Sequence, residues 1–328
     1  MDRQIPGIHH VTAIAADPQR NMDFYTEILG QRLVKLTVNF DDPGTYHLYY
    51  GDESGQPGTI LTFFPWPGAA RGRQGTGQVA ATSFLVPEGA LDYWEDRLAR
   101  HGVTTGPRER RFDEAALPFL DPDGMQLELV AEPDPVLSST WEGSPVPLDY
   151  AIRGFHGVTL WENDPEPTME LLAQTMGFQP AGEAGPRFRF RGAGQGPGTV
   201  VDVVHLPKWE RGWGGAGAVH HVAWRTPDDA QQLAWREELS DAGVHVTPVM
   251  DRQYFRSIYF REPGGVLFEV ATDPPGFLRD EAPEALGTRL MLPSWLEARR
   301  AEVEASLPEL DLPGRVLYEH AGQASHRS

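Results

Sequence analysis

The sequence predicts an α+β protein built from four copies of one β-α-β-β-β module. Three observations support this prediction: a short apolar strand recurs four times, an amphipathic helix follows each strand, and a glycine follows each helix. The modules span residues 7–66, 79–133, 154–207 and 218–277. With 328 residues, of which 40% are hydrophobic, the chain is long enough for two domains with buried cores.

The first strand of each module is apolar, and two of the four strands carry adjacent histidines. These strands cover residues 8–14, 79–86, 155–161 and 219–224. The histidines are His9 and His10 in the first module, and His220 and His221 in the fourth. Because neighbouring residues on a strand point to opposite faces, only one histidine of each pair can face a common site directly.

The helices carry sequence signals typical of helix ends. Three of them open on Asp17-Pro18, Asp164-Pro165 and Thr226-Pro227, where a polar side chain and a proline favour the first turn. All four end at a glycine, namely Gly30, Gly102, Gly177 and Gly243. After each glycine, short alternating segments such as 187–191, with phenylalanine on one face and arginine on the other, predict the remaining strands.

The predicted divisions are an N-terminal domain (1–133), a proline-rich linker (134–153), a C-terminal domain (154–277) and a helical tail (278–328). Each domain would contain two consecutive modules. In the tail, Ser294 and Glu297 fit a capping box, and Pro308 is expected to end the helix.

The composition excludes several classes of function. Without cysteine the chain has no disulfide, no zinc–thiolate site and no thiol nucleophile, so a metal would be bound by nitrogen and oxygen. A formal net charge of −19 disfavours nucleic-acid binding. No signal peptide and no apolar run near membrane length is visible, so we expect a cytoplasmic protein without a membrane partner. A homo-oligomer is possible, since the tail helix could cover a second subunit.

Four such modules resemble the vicinal oxygen chelate superfamily, which includes glyoxalases, extradiol dioxygenases and bleomycin-resistance proteins. The resemblance covers nearly the whole chain. It implies that modules pair into two cupped, barrel-like sheets, and that metal ligands come from the first and last strands of each module.

Within this framework, counting candidate ligands predicts which modules pair. Aligned by strand, helix and terminal glycine, His10 corresponds to His221, and Glu269 corresponds to Glu128. The other two modules have Ala81 and Gly157 at the histidine position. Pairing neighbouring modules gives one histidine and one carboxylate per barrel. Pairing the first module with the fourth instead collects His10, His221 and Glu269, and leaves the second and third without a metal site.

Two histidines and one carboxylate leave coordination positions open, as in non-haem Fe(II) enzymes that bind substrate and dioxygen together; Mn(II) shares the same ligands. A four-ligand glyoxalase site would need a carboxylate at Thr62 or Phe63. Of the remaining candidates, we interpret Glu128 as a structural relic and His156 as structural. We assign no role to His47, Asp202 or His205, and we expect 108–111 to be a solvated surface.

Longer motifs resemble one family within the superfamily, the ring-cleaving hydroquinone dioxygenases. They are residues 9–14, 23–25, 29–35, 46–52, 57–66, 217–223, 251–260 and 292–300. This resemblance implies Fe(II) held by His10, His221 and Glu269. It also implies that the substrate is surrounded by five further residues: His9, Thr12, His220, Arg252 and Tyr259. The expected reaction opens a para-hydroquinone ring with insertion of both atoms of O2.

Two other classes of function stay open. A catechol-type extradiol dioxygenase would use the same three ligands, whereas an isomerase or lyase of the superfamily should supply a fourth. A non-enzymatic resistance protein would bind a small aromatic molecule and would need no metal.

Overall fold

The computed structural model describes residues 3–133 and 141–312, and each module in it contributes four strands. The first two modules contain β1 (Ile8–Ala15), β2 (Arg32–Asn39), β3 (Asp42–Gly51), β4 (Ile60–Pro65), β5 (Gln78–Pro87), β6 (Glu109–Arg111), β7 (Glu114–Leu120) and β8 (Gln126–Glu132). The last two contain β9 (Phe155–Glu162), β10 (Gln179–Ala184), β11 (Arg187–Arg191), β12 (Val200–His205), β13 (Val219–Thr226), β14 (Met250–Asp251), β15 (Arg256–Arg261) and β16 (Leu267–Thr272).

The strands form two curled eight-stranded sheets, and each sheet joins two modules. In the first sheet the order is β14-β15-β16-β13-β1-β4-β3-β2, so the first module pairs with the fourth. In the second sheet the order is β10-β11-β12-β9-β5-β8-β7-β6, so the second module pairs with the third. The predicted module pairing is therefore confirmed. The division into domains 1–133 and 154–277 stays a prediction, because each sheet takes one module from either side of the linker.

A helix follows the first strand of every module. These helices are α1 (Pro18–Asp23, continued by a π-helical turn over Phe24–Ile28), α2 (Leu91–Arg100), α3 (Glu166–Glu170, continued over Leu171–Thr175) and α4 (Asp229–Asp241). Asp17 caps α1 as predicted, because its carboxylate accepts the Arg20 N–H. The start predicted for the fourth helix at Thr226-Pro227 is wrong by two residues, since Asp228 provides the cap.

In the C-terminal part of the chain, 3-10 turns at Phe277–Arg279, Pro283–Ala285 and Glu297–Arg299 precede α5 (Arg300–Ser306). One further 3-10 turn, Leu148–Tyr150, lies in the predicted linker. The predicted capping box is wrong, because Leu296 and not Ser294 precedes the 3-10 turn that Glu297 begins. Neither this turn nor α5 has a side-chain cap. The helix ends before Pro308, as expected. No helix within 3–133 and 141–312 is long and apolar enough to cross a membrane.

The packing of the core determines which side chains of β13 and β16 face away from it. Trp224 on β13 and Phe268 on β16 are fully buried and in ring contact, and Trp235 of α4 belongs to the same cluster. Neighbours on a strand point to opposite faces. Packing Trp224 and Phe268 into the core therefore turns His221 and Glu269 to the other face of the sheet.

Candidate metal centre

Three buried side chains meet at the middle of the first sheet. His10 lies on β1, His221 on the adjacent β13, and Glu269 on β16 beyond it; all are at most 5% exposed. The two Nε2 atoms are 3.3 Å apart. Glu269 Oε2 is 2.9 Å from His221 Nε2 and 3.5 Å from His10 Nε2. The structure thus brings together all three ligands predicted from the sequence.

This donor set fits a divalent metal ion. Nitrogen and oxygen ligands about 2.1 Å from an ion and roughly at right angles lie about 3 Å apart, which is the spacing of these donors. Glu269 Oε1 accepts a hydrogen bond from Ser257, but the buried Oε2 has no hydrogen bond from any described residue. A buried carboxylate oxygen aimed at two imidazole nitrogens is expected where a cation binds.

The protonation states also suit a metal. Burial would raise the pKa of Glu269, but the charges of the neighbouring His10 and His221 outweigh it and hold this pKa well below its ordinary value. Burial lowers the pKa of His221. A carboxylate and a neutral imidazole are the forms that coordinate metal ions, because protonated ligands offer no lone pair.

His9 and His220 each lie against the predicted ligand that follows in the chain. The Nδ1 atoms of His9 and His10 are 2.9 Å apart, and those of His220 and His221 are 2.7 Å apart. Each contact fixes the orientation of a ligand ring, as partners of metal-bound imidazoles commonly do. Burial and the neighbouring His221 lower the pKa of His220 to about 4.

A cavity of about 340 Å³ opens in front of the three ligands. Thr12, His220, Arg252 and Tyr259 line it, together with aromatic side chains. The aromatic wall comprises Phe40, Tyr49, Phe64, Trp66 and Phe255. His9 is the exception among the five residues predicted to surround a substrate. It lines a separate cavity of about 150 Å³, and Phe255 borders both cavities.

Arg252 and Tyr259 form a polar pair on one wall of the cavity. Arg252 Nε donates to the Tyr259 hydroxyl over 3.2 Å, and its Nη1 donates to Asp41 Oδ2 over 2.9 Å. Burial and the charge of Glu269 raise the pKa of Tyr259, although Arg252 opposes the shift. Tyr259 therefore keeps its phenolic proton at neutral pH and can act as a hydrogen-bond donor.

The sequence interpretation missed His47, which lies in the cavity wall. His47 Nε2 is 2.7 Å from Thr62 Oγ1, and His47 Nδ1 is 2.9 Å from the Tyr49 hydroxyl. Thr62 Oγ1 is in turn 3.0 Å from Thr12 Oγ1. His47 and Tyr49 are two residues apart on β3 and so share a face, which was the available signal. The missing information was the register that places this face beside β4.

The second sheet contains the residues that we interpreted as structural. Glu128 accepts two hydrogen bonds from the Arg111 guanidinium and one from Ser83. The expectation of a solvated surface at 108–111 is therefore wrong for Arg111, whose side chain is only 13% exposed. His156 contacts Glu114 over 3.1 Å, and Asp202 pairs with Arg189.

Comparisons with known proteins agree with this architecture. The family model described as the glyoxalase/bleomycin resistance protein/dioxygenase superfamily matches residues 7–129 and 154–270. MhqO of Bacillus subtilis, named for a ring-cleaving dioxygenase activity, is 50% identical over 307 residues, covering 94% of this chain and 97% of MhqO. A chlorohydroquinone/hydroquinone 1,2-dioxygenase of Sphingobium indicum is 35% identical over 312 residues, covering 92% of this chain and 96% of that enzyme.

Solved structures show the same relationship. A dioxygenase structure from Bacillus subtilis superposes with a TM-score of 0.91 at 49% identity, covering 94% of this chain and 98% of that one. Glyoxalase I from Zea mays superposes with a TM-score of 0.61 at 15% identity, covering 81% and 92% of the two chains, and supports the fold alone.

Proposed function

The chain belongs to the glyoxalase/bleomycin resistance protein/dioxygenase superfamily, and from this premise we propose that it is a ring-cleaving dioxygenase that opens a para-hydroquinone with O2. The observation that carries the proposal is the cluster of two histidines and one glutamate, in which both histidines line an aromatic cavity. Its relatives support the substrate class, since one of them is named for chlorohydroquinone and hydroquinone.

We assign the metal as Fe(II), held by His10, His221 and Glu269, with Mn(II) as the alternative for the same donors. When bound, the ion lowers the pKa of a coordinated ring hydroxyl and lets the diol and O2 meet at neighbouring positions. Ser257 fixes the Glu269 carboxylate through Oε1, which leaves Oε2 directed at the ion. His9 and His220 orient the two imidazole ligands.

The cavity has the size and lining for one substituted ring. A cavity of about 150 Å³ is enough for benzene, so about 340 Å³ accommodates a diol ring, its substituents and O2. Phe64, Phe255 and Leu267 supply apolar surface that packs on the ring and excludes water. Water exclusion strengthens each polar contact in the cavity, because the local dielectric constant falls.

The polar side chains act on the oxygens of the substrate. The Tyr259 phenol keeps its proton and donates a hydrogen bond to an oxygen that gains negative charge as the ring opens. The Arg252 guanidinium lies 5.4 Å from the centre of the Tyr259 ring and stabilises the same charge. Asp41 holds Arg252 in this position from the mouth of the cavity.

The proposal is tested by loading metal-free protein anaerobically with Fe(II) and following O2 uptake with hydroquinone, methylhydroquinone and catechol. We expect uptake and a ring-opened product with the hydroquinones, and loss of both bound iron and uptake in His221→Ala. His205→Ala is the matched control, because His205 ends β12 in the other sheet and contacts none of the three ligands.

The other outcomes separate the alternatives. Faster uptake with catechol would assign the protein to the ortho-diol enzymes and keep the metal centre. Bound iron without uptake on any diol would contradict a ring-cleaving activity. Failure of the wild type to bind a divalent metal would contradict the metal centre and favour a module that only binds aromatic molecules.

A further inference from the structure

Four side chains form a hydrogen-bonded chain across three neighbouring strands of the first sheet. Its members, in order, are Thr12 on β1, Thr62 on β4, and His47 and Tyr49 on β3. Consecutive polar atoms are 3.0, 2.7 and 2.9 Å apart. Thr62 is directly opposite Thr12 on one side and Tyr49 on the other. Because adjacent strands are about 4.8 Å apart, the chain extends about 10 Å across the sheet.

Both ends of this chain open onto the cavity beside the three ligands. Thr12 and Tyr49 line the cavity, and Thr12 is two residues from His10 on the same face of β1. Within 3–133 and 141–312, neither hydroxyl has a second hydrogen-bond partner. Each end can therefore exchange a hydrogen bond with a molecule bound in the cavity.

Each member of the chain can donate and accept one hydrogen bond, so the chain has two polarities. In one, Thr12 donates to Thr62, Thr62 to His47 Nε2, and His47 Nδ1–H to Tyr49, whose hydroxyl hydrogen faces the cavity. In the other, every bond is reversed and the Thr12 hydrogen faces the cavity. A neutral imidazole permits both polarities, because either ring nitrogen can carry its single proton.

The surroundings keep this imidazole neutral. Burial, followed by the charges of His10, His221 and Arg252, lowers the pKa of His47 well below its ordinary value. Burial also raises the pKa of the Tyr49 phenol. Near pH 7 both groups are uncharged, so reversing the chain creates no ion within the protein.

We propose that Thr12, Thr62, His47 and Tyr49 form a proton relay that moves a proton from one side of the bound diol to the other. The relay deepens the proposed function and rests on it. As the O–H bond of the diol breaks, its proton goes to Thr12 Oγ1, and Thr12 passes its own hydrogen to Thr62. Thr62 protonates His47 Nε2, and Nδ1 releases its proton to Tyr49. Tyr49 gives its hydrogen to water or to an oxygen of the opened ring.

One proton enters this relay and one leaves it, no electrons move along it, and the chain ends in the opposite polarity. The chain is reset when a proton enters at Tyr49 and one leaves from Thr12, because rotation of the hydroxyls alone would leave the proton of His47 on Nε2. The relay therefore accepts the proton that the diol loses early in the reaction and delivers one where the opened ring needs it.

The first test is NMR of the metal-free protein, in which the ring-nitrogen shifts report which nitrogen of His47 is protonated. His47→Gln identifies the signal. Thr62→Val removes the acceptor of Nε2–H and should drive the proton to Nδ1, whereas Tyr49→Phe removes the partner of Nδ1 and should drive it to Nε2. The wild type should show a mixture. The same tautomer in all three proteins, or a charged imidazole at pH 7, would overturn the relay.

The matched control is Thr37→Val. Thr37 is a buried threonine on the neighbouring β2, directly opposite His47, and its hydroxyl has no hydrogen-bond partner among the described residues. Thr37→Val makes the same change of hydroxyl to methyl in the same sheet but leaves the four hydrogen-bonded side chains intact. The His47 tautomer should therefore match the wild type.

The second test measures turnover of the Fe(II)-loaded enzyme in mixtures of H2O and D2O. Thr62→Val and His47→Gln should lower kcat about 10²-fold with KM within about threefold, because proton transfer assists the reaction and not binding. A plot of kcat against the fraction of D2O should be curved in the wild type, because several protons move together, and linear in these variants. Thr62→Ser should restore both properties.

The two proposals can fail separately. If the wild type turns over no diol, the ring-cleaving function is contradicted, while the tautomer measurement still decides whether the chain switches polarity. If the tautomers switch as expected but Thr62→Val keeps the wild-type kcat and the curved dependence, the chain exists without acting as a relay.

Discussion

The two sheets of the molecule have the same strand order and register, yet the buried carboxylate at the equivalent position has different partners in each. In the first sheet Glu269 is level with Ala223, two residues after His221. In the second sheet Glu128 is level with Ser83, two residues after Ala81. Glu128 therefore occupies the place of Glu269. The places of the two histidines are taken by Ala81 and Gly157, and Pro118 stands where Tyr259 faces Glu269.

The difference lies in what balances the negative charge. Glu269 has one oxygen held by Ser257 and one left without a hydrogen bond from the described residues, facing two imidazoles. Glu128 has both oxygens bonded to Arg111. A buried carboxylate requires a partner in either case. The second sheet provides this partner from its own sequence, in Arg111, whereas the proposed partner of Glu269 is a bound metal ion.

The backbone of the second sheet also leaves no room for a histidine at the position of Gly157. A Cβ atom on Gly157 would lie 2.2 Å from the carbonyl oxygen of Val200 on the adjacent strand, so no histidine fits there without moving β12. The second sheet thus differs from the first in the packing of its strands as well as in its side chains. The comparison shows that one arrangement of strands can hold either a cluster of two histidines and a glutamate or a closed ion pair.

The largest effect in this comparison is expected for Arg111→Ala. The change leaves Glu128 buried without its cation, and removing one partner of a buried ion pair typically lowers stability by about 3–5 kcal/mol. Urea unfolding should show this loss, while metal content and turnover per folded molecule stay at the wild-type level. Arg110→Ala is the control, because Arg110 is exposed on the same short strand. A loss below about 1 kcal/mol would contradict the role given to Arg111.

A smaller effect is expected for Ser257→Ala in the first sheet. Without the hydroxyl, Glu269 Oε1 loses its hydrogen bond and the carboxylate is free to rotate away from the ion. Loss of such a supporting contact typically weakens metal affinity about 10- to 100-fold. Competition with a chelator measures the affinity. Ser83→Ala is the matched control, since Ser83 bonds Glu128 in the second sheet and should leave metal affinity unchanged. Equal affinity in both variants would show that Glu269 needs no such support.

These contrasts also show how far the sequence predicts the structure. The module pairing and the meeting of His10, His221 and Glu269 were predictable because the repeats place chemically similar residues at equivalent strand positions. Two histidines and a glutamate could be combined in one barrel by only one pairing. Parity along β1 and β13 allowed only one histidine of each pair to face the site, and the resemblance to the superfamily favoured His10 and His221.

The missed features depend on contacts between strands that repeats do not reveal. Arg111 lies in a run of charged residues and looked like surface. Its role follows from the short edge strand β6, whose pairing with β7 brings it to Glu128. The importance of His47 likewise follows from the register of β3 on β4. The fourth helix begins two residues after the predicted position because Asp228, and not Thr226, caps it.

The smallest expected effect is the dependence of stability on acidic pH that Glu114 gives the second sheet. Burial would raise the pKa of Glu114 in the second sheet, but hydrogen bonds and charge interactions with His156 and Arg189 lower it to about 2. Because this pKa lies below that of an unfolded glutamate, the stabilisation is fully present above about pH 4.5 and is lost as the pH falls toward 2. Glu114→Gln keeps the shape without the charge. Its deficit in the free energy of unfolding should therefore be constant near neutral pH and shrink by roughly half between pH 5 and 3. Urea unfolding across that range measures it, and a deficit that does not change with pH would mean that packing, and not the ion pairs, makes Glu114 stabilising.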